Sequence, residues 1–335
     1  MERIAPFAIS RPATLAEAAA LLAATPGARL LSGGTDLLPN LRDGLGEPPA
    51  LVDLAGVAGI SAVTVTGDGV MLGAGVTLAR LVSDAALRRA LPVLAEAAST
   101  VAGPAHRTVA TLGGNLCLET RCVFFNQSEW WRRANDFCLK YGGDVCHVAP
   151  QGKHCHAAFS GDLAPVLMAL DAVVEIVGPT GARRIALADL YADDGAHHLT
   201  IDAGEIVATV RIPVQPATAR TGYRKARARG AIDFPLAGVA VRVEMDGGAP
   251  RALRVALTGT NSRPFLLDGT DALTGEPVTD DMLAKLGKLV QKQASPMRTT
   301  ATHSNYRRQV ASVLAQRLVR ELASASPLRD AGSSA

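Results

Sequence analysis

The sequence has almost no excess of charge of either sign: 34 Lys and Arg stand against 31 Asp and Glu, a formal net charge of +3 over 335 residues. So small and dispersed an excess leaves no footprint for nucleic acid. No apolar stretch approaches the roughly 18–20 residues needed to cross a bilayer, so no membrane span is expected. The opening residues, Met1-Glu2-Arg3-Ile4-Ala5-Pro6-Phe7, lack a basic head followed by an apolar run, which argues against a secretory signal. A soluble, cytoplasmic protein is the expectation. There is no G-x-G-x-x-G fingerprint, so a Rossmann dinucleotide fold is unsupported, and there are no internal repeats. Aromatic residues make up only 4% of the chain, against 48% hydrophobic and 19% charged residues. That balance is ordinarily globular, and the length suits two or three domains with a sizeable core.

What is present is unevenly placed. All five cysteines (Cys117, Cys122, Cys138, Cys146 and Cys155) and both tryptophans (Trp130 and Trp131) lie between Thr111 and Pro165. In a reducing compartment clustered cysteines point to metal ligands or redox groups, and an odd count fits poorly with complete disulfide pairing. Phe124, Phe125, Trp130, Trp131, Phe137, Tyr141 and Phe159 bring more than half of the aromatics into the same region.

Residues 14–24 read as a helix, opened by the capping-box spacing of Thr14 and Glu17 and ended by Pro26-Gly27. A short strand over 28–31 runs into Ser32-Gly33-Gly34-Thr35-Asp36. Such a turn can present several backbone N–H groups to a phosphate, because glycine permits close approach and φ > 0; a plain Gly-rich turn has the same residues. Strands are predicted at 50–54, 69–74, 173–177 and 204–213, and helices at 78–87 and 91–101, the second marked off by Pro92. Leu163–Leu170 reads as helical or as a buried apolar run. Beyond a boundary near Val214–Ala219, strand-like runs at 222–228, 236–245 and 252–259 precede helices at 281–293 and 306–323. In the last helix Tyr306, Val310, Val313, Leu314 and Leu318 form the apolar stripe, and Arg307, Arg308, Arg317 and Arg320 read as a solvated basic face. The end of the chain, from about 324, reads as frayed.

A second glycine loop, Thr111-Leu112-Gly113-Gly114-Asn115, stands about eighty residues after the first. Two such loops in one domain suit a long ligand with a diphosphate, a ribitol chain and a ring system. Asp162, in Gly161-Asp162-Leu163-Ala164-Pro165, can accept hydrogen bonds from ligand hydroxyls or ring nitrogens. It can equally cap the helix starting near Leu163.

LLSGGTDLLPNL, ATLGGNL, GDLAPVLMALDA and GYRKARARGAIDFPLAGVAV resemble, in order, the successive motifs of FAD-binding medium subunits in the xanthine dehydrogenase/molybdenum hydroxylase family. The likeness covers nearly the whole chain. It implies an α+β fold: an FAD-binding domain over 1–215, built of two α+β subdomains (PCMH-type, about 1–55 and 56–215), then a C-terminal domain over 216–325 with a small antiparallel sheet and helices, and a flexible tail at 326–335. By the same resemblance Ser32, Gly33, Gly34, Thr35 and Asp36 contact the diphosphate region, Thr111, Gly113, Gly114 and Asn115 approach it from the second loop, and Asp162 and Lys225 lie near the flavin. Tyr223 and Asp233, within the fourth motif, are assigned no chemistry.

In most relatives the asparagine of the second loop stands shortly before the aspartate of the third motif, whereas here Asn115 and Asp162 are 47 positions apart, so a segment over about 118–158 is an insert. Relatives without an insert often have cysteine or alanine where Cys117 stands, which leaves Cys122, Cys138, Cys146 and Cys155, spaced C-x15-C-x7-C-x8-C. Four thiolates can hold an iron–sulfur cluster or a structural zinc. The spacing has no C-x2-C knuckles and is not a ferredoxin run, so spacing alone does not choose the metal. His147, His154 or His156 could replace one cysteine, although His154 and His156 read as exposed loop residues. An aromatic shell suits a cluster, whose potential depends on burial and on hydrogen bonds to its sulfurs.

TRCVFFNQSEWWR, FCLKYGGDVCHV and the single Cys155 resemble the insert of the β subunits of 4-hydroxybenzoyl-CoA reductases. That likeness implies one [4Fe–4S] cluster on Cys122, Cys138, Cys146 and Cys155 beside FAD. It implies electrons passing from ferredoxin through the cluster and FAD to two [2Fe–2S] clusters on a small subunit and to molybdenum on a large molybdopterin subunit, where 4-hydroxybenzoyl-CoA is reductively dehydroxylated to benzoyl-CoA. The expected assembly is a dimer of heterotrimers, with no catalytic residue on this chain. An oxidising flavin subunit with outward electron flow, or a module with a structural zinc in the insert, has the same residues.

Overall fold

A computed structural model describes residues 4–298 and 302–325; the expected tail at 326–335 lies outside the described residues. The chain opens with strands β1 (Ala8–Ser10), β2 (Arg29–Leu31) and β3 (Ala50–Asp53), which form a small sheet of order β1-β3-β2 with both pairings parallel. Helix α1 (Leu15–Ala24) connects β1 to β2. Its capping box is closed as the sequence predicts: Thr14 Oγ1 accepts from the Glu17 N–H, and the Glu17 carboxylate reaches back to the Thr14 N–H. After β2 the first glycine loop leads into α2 (Leu37–Arg42).

The second sheet holds β4 (Val63–Thr66), β5 (Gly69–Gly73), β6 (Val173–Gly178), β7 (Gly181–Ala186) and β8 (Ile206–Pro213), in the order β4-β5-β8-β6-β7 and antiparallel throughout. Between β5 and β6 run α3 (Leu78–Ser83), α4 (Ala85–Ala90), α5 (Pro92–Ser99), α6 (Pro104–Arg107), α7 (Leu112–Leu116), α8 (Glu129–Ala134) and α9 (Leu163–Ala169). The helix predicted over 78–87 is two. Asp84 breaks it because its carboxylate accepts from the Ala86 and Leu87 N–H groups and starts a new helix. Helix α9 is apolar all round and every residue of it is buried, as befits a helix enclosed on all sides.

The third sheet comprises β9 (Ala219–Ala226), β10 (Ala237–Asp246), β11 (Ala249–Thr258) and β12 (Phe265–Leu266), antiparallel in the order β12-β11-β10-β9. Helices α10 (Asp280–Gln293) and α11 (Ser304–Ser324) pack with this sheet around a core of their own, while α9 packs against β10 and β11 from within the main core. The expected α+β architecture is the one found.

The face of α11 differs from the predicted stripe. Tyr306 and Val313 are exposed, Leu318 is buried as expected, and Ala311, Ala315 and Val319 are buried beside it. Arg307 is not solvated: its guanidinium is buried and donates to the carbonyl oxygens of Leu236, Met297 and Gly259. Those three carbonyls lie outside the helix, so helical periodicity carries no trace of them.

Candidate functional site

The two glycine loops meet. The first follows the C-terminal end of β2, and the second opens α7, whose cap residue Thr111 accepts from the Gly114 N–H at 3.2 Å. The Ser32 and Thr111 hydroxyls share a hydrogen bond of 3.0 Å and tie the loops together. Both loops depend on a missing Cβ. At Gly33 a Cβ would collide with the Val109 carbonyl oxygen, and at Gly113 it would lie 2.8 Å from Ala74 Cβ, where the Gly113 N–H donates to Ala74 O at 2.7 Å. Together the loops frame a cleft of about 510 Å³ lined by Ser32, Gly33, Gly34, Thr35, Asp36, Thr111, Gly113, Gly114, Asn115 and Asp162. Ten of the eleven residues expected around a flavin thus share one cleft.

The eleventh, Lys225, does not line the cleft. Its Nζ donates to Asp162 Oδ2 at 2.9 Å and to the Thr100 carbonyl at 3.2 Å, with the Lys225 and Asp162 side chains only 2% and 3% exposed. The Tyr223 hydroxyl donates to Asp162 Oδ1 at 2.6 Å. Burial pushes the Asp162 carboxyl above its ordinary range, while Lys225 and Tyr223 pull it back. Tyr223, assigned no chemistry from sequence, thus fixes the carboxylate that faces the cleft. Asp162 does not cap α9. Its side chain makes no cap hydrogen bond, and the Leu163 N–H goes to Asn115 Oδ1 at 3.0 Å. Asp233, likewise assigned no chemistry, lines the cleft and accepts from the Ala228 and Arg229 N–H groups.

Arg121 also lines the cleft and was not singled out from sequence. It ion-pairs with Asp36, donates to Asn40 Oδ1 at 3.2 Å and lies over the Phe234 ring, 4.9 Å from its centroid. Asp36 Oδ2 accepts from the Glu119 N–H at 3.3 Å. The carboxylate expected near a diphosphate is therefore neutralised by a guanidinium. Its only sequence signal was a basic residue beside Cys122.

The segment expected to be an insert closes on one rung: Arg121 and Ala158 exchange two backbone hydrogen bonds of 2.8 Å each. Inside it Cys122, Cys138, Cys146 and Cys155 all line one small cavity with Phe124, Phe125, Leu139, Lys140, His147 and Val148. The Phe124 and Phe125 backbone N–H groups point to Cys122 sulfur, and the Ala157 N–H points to Cys155 Sγ at 3.4 Å. Burial raises the Cys122 thiol and pushes Cys155 up to about 11. Among the described residues no group of three or more His, Cys, Asp or Glu is placed to hold a single metal ion.

Cys117 stands apart and lines the cleft between the glycine loops, with its thiol pushed up to about 12 by burial. His154 and His156 stack on each other at 4.5 Å and do not line the cysteine cavity, whereas His147 does. The expected aromatic shell is only partly present. Phe124 and Phe125 line the cavity, but Trp130 is 76% exposed and Phe159 packs against Tyr191 in the main core.

Residues 5–215 match the FAD binding domain in molybdopterin dehydrogenase, and residues 221–322 match the CO dehydrogenase flavoprotein C-terminal domain. The chain belongs to the FAD-binding medium subunits of the xanthine dehydrogenase/CO dehydrogenase family of molybdenum hydroxylases. It is accordingly an FAD-binding oxidoreductase subunit. It is 34% identical over 276 residues to the aldehyde oxidoreductase FAD-binding subunit PaoB of Escherichia coli, covering 79% of this chain and 85% of that one. It is 28% identical over 315 residues to the carbon monoxide dehydrogenase medium chain of Afipia carboxidovorans, covering 93% and 95%. Reconstituted CO dehydrogenase from Oligotropha carboxidovorans superposes with a TM-score of 0.80 at 25% identity, over 97% of this chain and 100% of that one. No helix among the described residues is long and apolar enough to cross a membrane.

Proposed function

We propose that this chain is the flavin- and iron–sulfur-carrying subunit of a 4-hydroxybenzoyl-CoA reductase. The observation that carries the reading is the convergence of Cys122, Cys138, Cys146 and Cys155 on one cavity, in an insert rooted beside the flavin cleft. Four thiols around a common space, with backbone N–H groups aimed at two of the sulfurs, are the donor chemistry of a [4Fe–4S] cluster.

In this reading Ser32 to Asp36 and Thr111 to Asn115 cradle the FAD diphosphate through backbone N–H groups and hydroxyls. Arg121 cancels the Asp36 charge that would otherwise repel it. Lys225 and Tyr223 hold Asp162 toward the ring system. The four cysteines hold the cluster as thiolates. When bound, FAD exchanges one or two electrons and the cluster one, which suits a low-potential one-electron donor feeding a reductive enzyme. Substrate chemistry belongs to a large molybdopterin subunit, reached through a small subunit with two [2Fe–2S] clusters, in a cytoplasmic dimer of heterotrimers with ferredoxin as donor. Residues 1–215 form the cofactor-binding part and 216–325 the C-terminal domain.

The test is metal, sulfide and flavin analysis of the anaerobically purified complex, followed by turnover. About four irons and matching sulfide bound to this chain, one FAD, and dehydroxylation of 4-hydroxybenzoyl-CoA with reduced ferredoxin support the reading. One zinc and no iron here would sink the cluster assignment. Oxidation of an aldehyde, the activity named for the Escherichia coli relative, without any reduction of 4-hydroxybenzoyl-CoA would sink the substrate.

A further inference from the structure

Lys140 stands where the two cavities meet. It is the one Lys, Arg, Asp or Glu among the described residues lining the cysteine cavity, and its side chain is only 6% exposed. Its Nζ donates to Glu119 Oε1 at 2.6 Å and to the Thr120 carbonyl at 3.1 Å, also meets the Thr120 hydroxyl, and lies 4.4 Å from the Phe125 ring centroid. Glu119 lines the flavin cleft and meets Arg29 there at 3.6 Å. The ion pair therefore joins the two cavities, Lys140 lining the one that holds the thiols and Glu119 lining the cleft.

Burying an ammonium is costly, and a buried ion pair is often no more stabilising than apolar side chains of the same volume. Stability alone therefore gives little reason for Lys140 at this place, whereas its field does. In a weakly screened interior a fixed charge acts strongly over short distances, and Lys140 lines the same cavity as the four thiols. Four thiolates around an iron–sulfur core become more negative on reduction, so a fixed cation stabilises the reduced form more than the oxidised one.

We infer that Lys140 is an electrostatic tuning residue of the cysteine cavity. Its held ammonium raises the reduction potential of the cluster, and Glu119 sets how much of that field the cluster receives. The inference rests on the four-cysteine assignment proposed above. It concerns the driving force between cavity and cleft, not the identity of the ligands.

The experiment uses the assembled complex purified anaerobically as wild type, Lys140→Met, Lys140→Arg and Glu119→Gln. Iron, sulfide and FAD contents are measured with the cluster midpoint potential from an EPR-monitored redox titration. Lys140→Met, which keeps the length of the side chain and removes the charge, is expected to shift the midpoint negative. Lys140→Arg is expected to restore most of it, and Glu119→Gln to shift it positive. Unchanged midpoints in Lys140→Met and Glu119→Gln with iron retained overturn the inference and leave the cluster assignment standing. If Lys140→Met loses its iron, Glu119→Gln decides: a positive shift supports the inference and no shift overturns it. A wild-type chain without iron overturns both.

Discussion

The side-chain oxygen of Asn115 accepts the backbone N–H of Leu163 at 3.0 Å across a sequence separation of 48 residues. The insert lies wholly between these partners. The second glycine loop and the buried helix α9 are thus stitched together as though the intervening segment were absent. Asn115 supplies the cap, which leaves the Asp162 carboxylate to Tyr223 and Lys225.

Replacing Asn115 by Ala should cost about 1–2 kcal/mol, the usual loss for a helix cap made stiffer here by burial. Chemical denaturation of the flavin-free chain should move its midpoint accordingly. An unchanged midpoint would mean that water satisfies the Leu163 N–H.

Gly33→Ala should abolish flavin retention, because its Cβ would collide with the Val109 carbonyl oxygen and push the two loops apart. Gly67→Ala is the control, since a Cβ there meets nothing within 4 Å. The readout is the ratio of flavin to protein absorbance after gel filtration.

Arg121→Ala should weaken FAD binding by roughly ten- to a hundredfold, the worth of one charge-assisted contact of about 1.5–3 kcal/mol. Without the guanidinium Asp36 would face the diphosphate as a bare carboxylate. Fluorescence titration of the flavin-free chain measures this. A double variant with Asp36→Asn should recover part of the loss, and its failure to do so would show that neutralisation is not the role of Arg121.

Cys138→Ser should remove the iron, whereas Cys117→Ala should leave it in place, because Cys117 lines the flavin cleft and not the cysteine cavity. Iron and sulfide assays on the two purified variants decide the ligand set. Iron lost from the Cys117 variant would show the set to be wrong.

His198 should make the fold acid-sensitive. It is 7% exposed and its Nε2 has no hydrogen-bond partner. Burial pushes its pKa down to about 4. An unfolded histidine titrates near 6.5, so the unfolded chain takes up this proton first. The contribution is present above about pH 6.5 and is lost as pH falls toward 4, to the extent of about 3 kcal/mol. His198→Phe should stay stable over that window relative to wild type, as followed by urea unfolding at several pH values. Parallel pH profiles would refute the assignment.

What the sequence disclosed was mostly local or carried by motif. Thr14 and Glu17 lie within one turn, so their capping box could be read directly. Ser32 to Asp36 and Thr111 to Asn115 were recognisable because glycine pairs are needed where backbones crowd. Arg121 and Lys140 escaped notice because their roles are set by Asp36 and Glu119, which the fold brings to them. Arg307 was misplaced for the same reason: three carbonyls from other segments outweigh the helical pattern that put it in solvent. The four cysteines were visible as a set, but their shared cavity depends on how Arg121 and Ala158 close the segment.

That closing rung has a consequence for chain entropy. Because Arg121 and Ala158 already hold the two ends side by side, the frame is nearly blind to how much chain runs between them. Loop-closure entropy grows only logarithmically, so doubling such an excursion costs about 0.6 kcal/mol. Residues 122–157 thus form a cassette with both terminals at one socket. Its length could change in a single step without re-registering a strand of the frame.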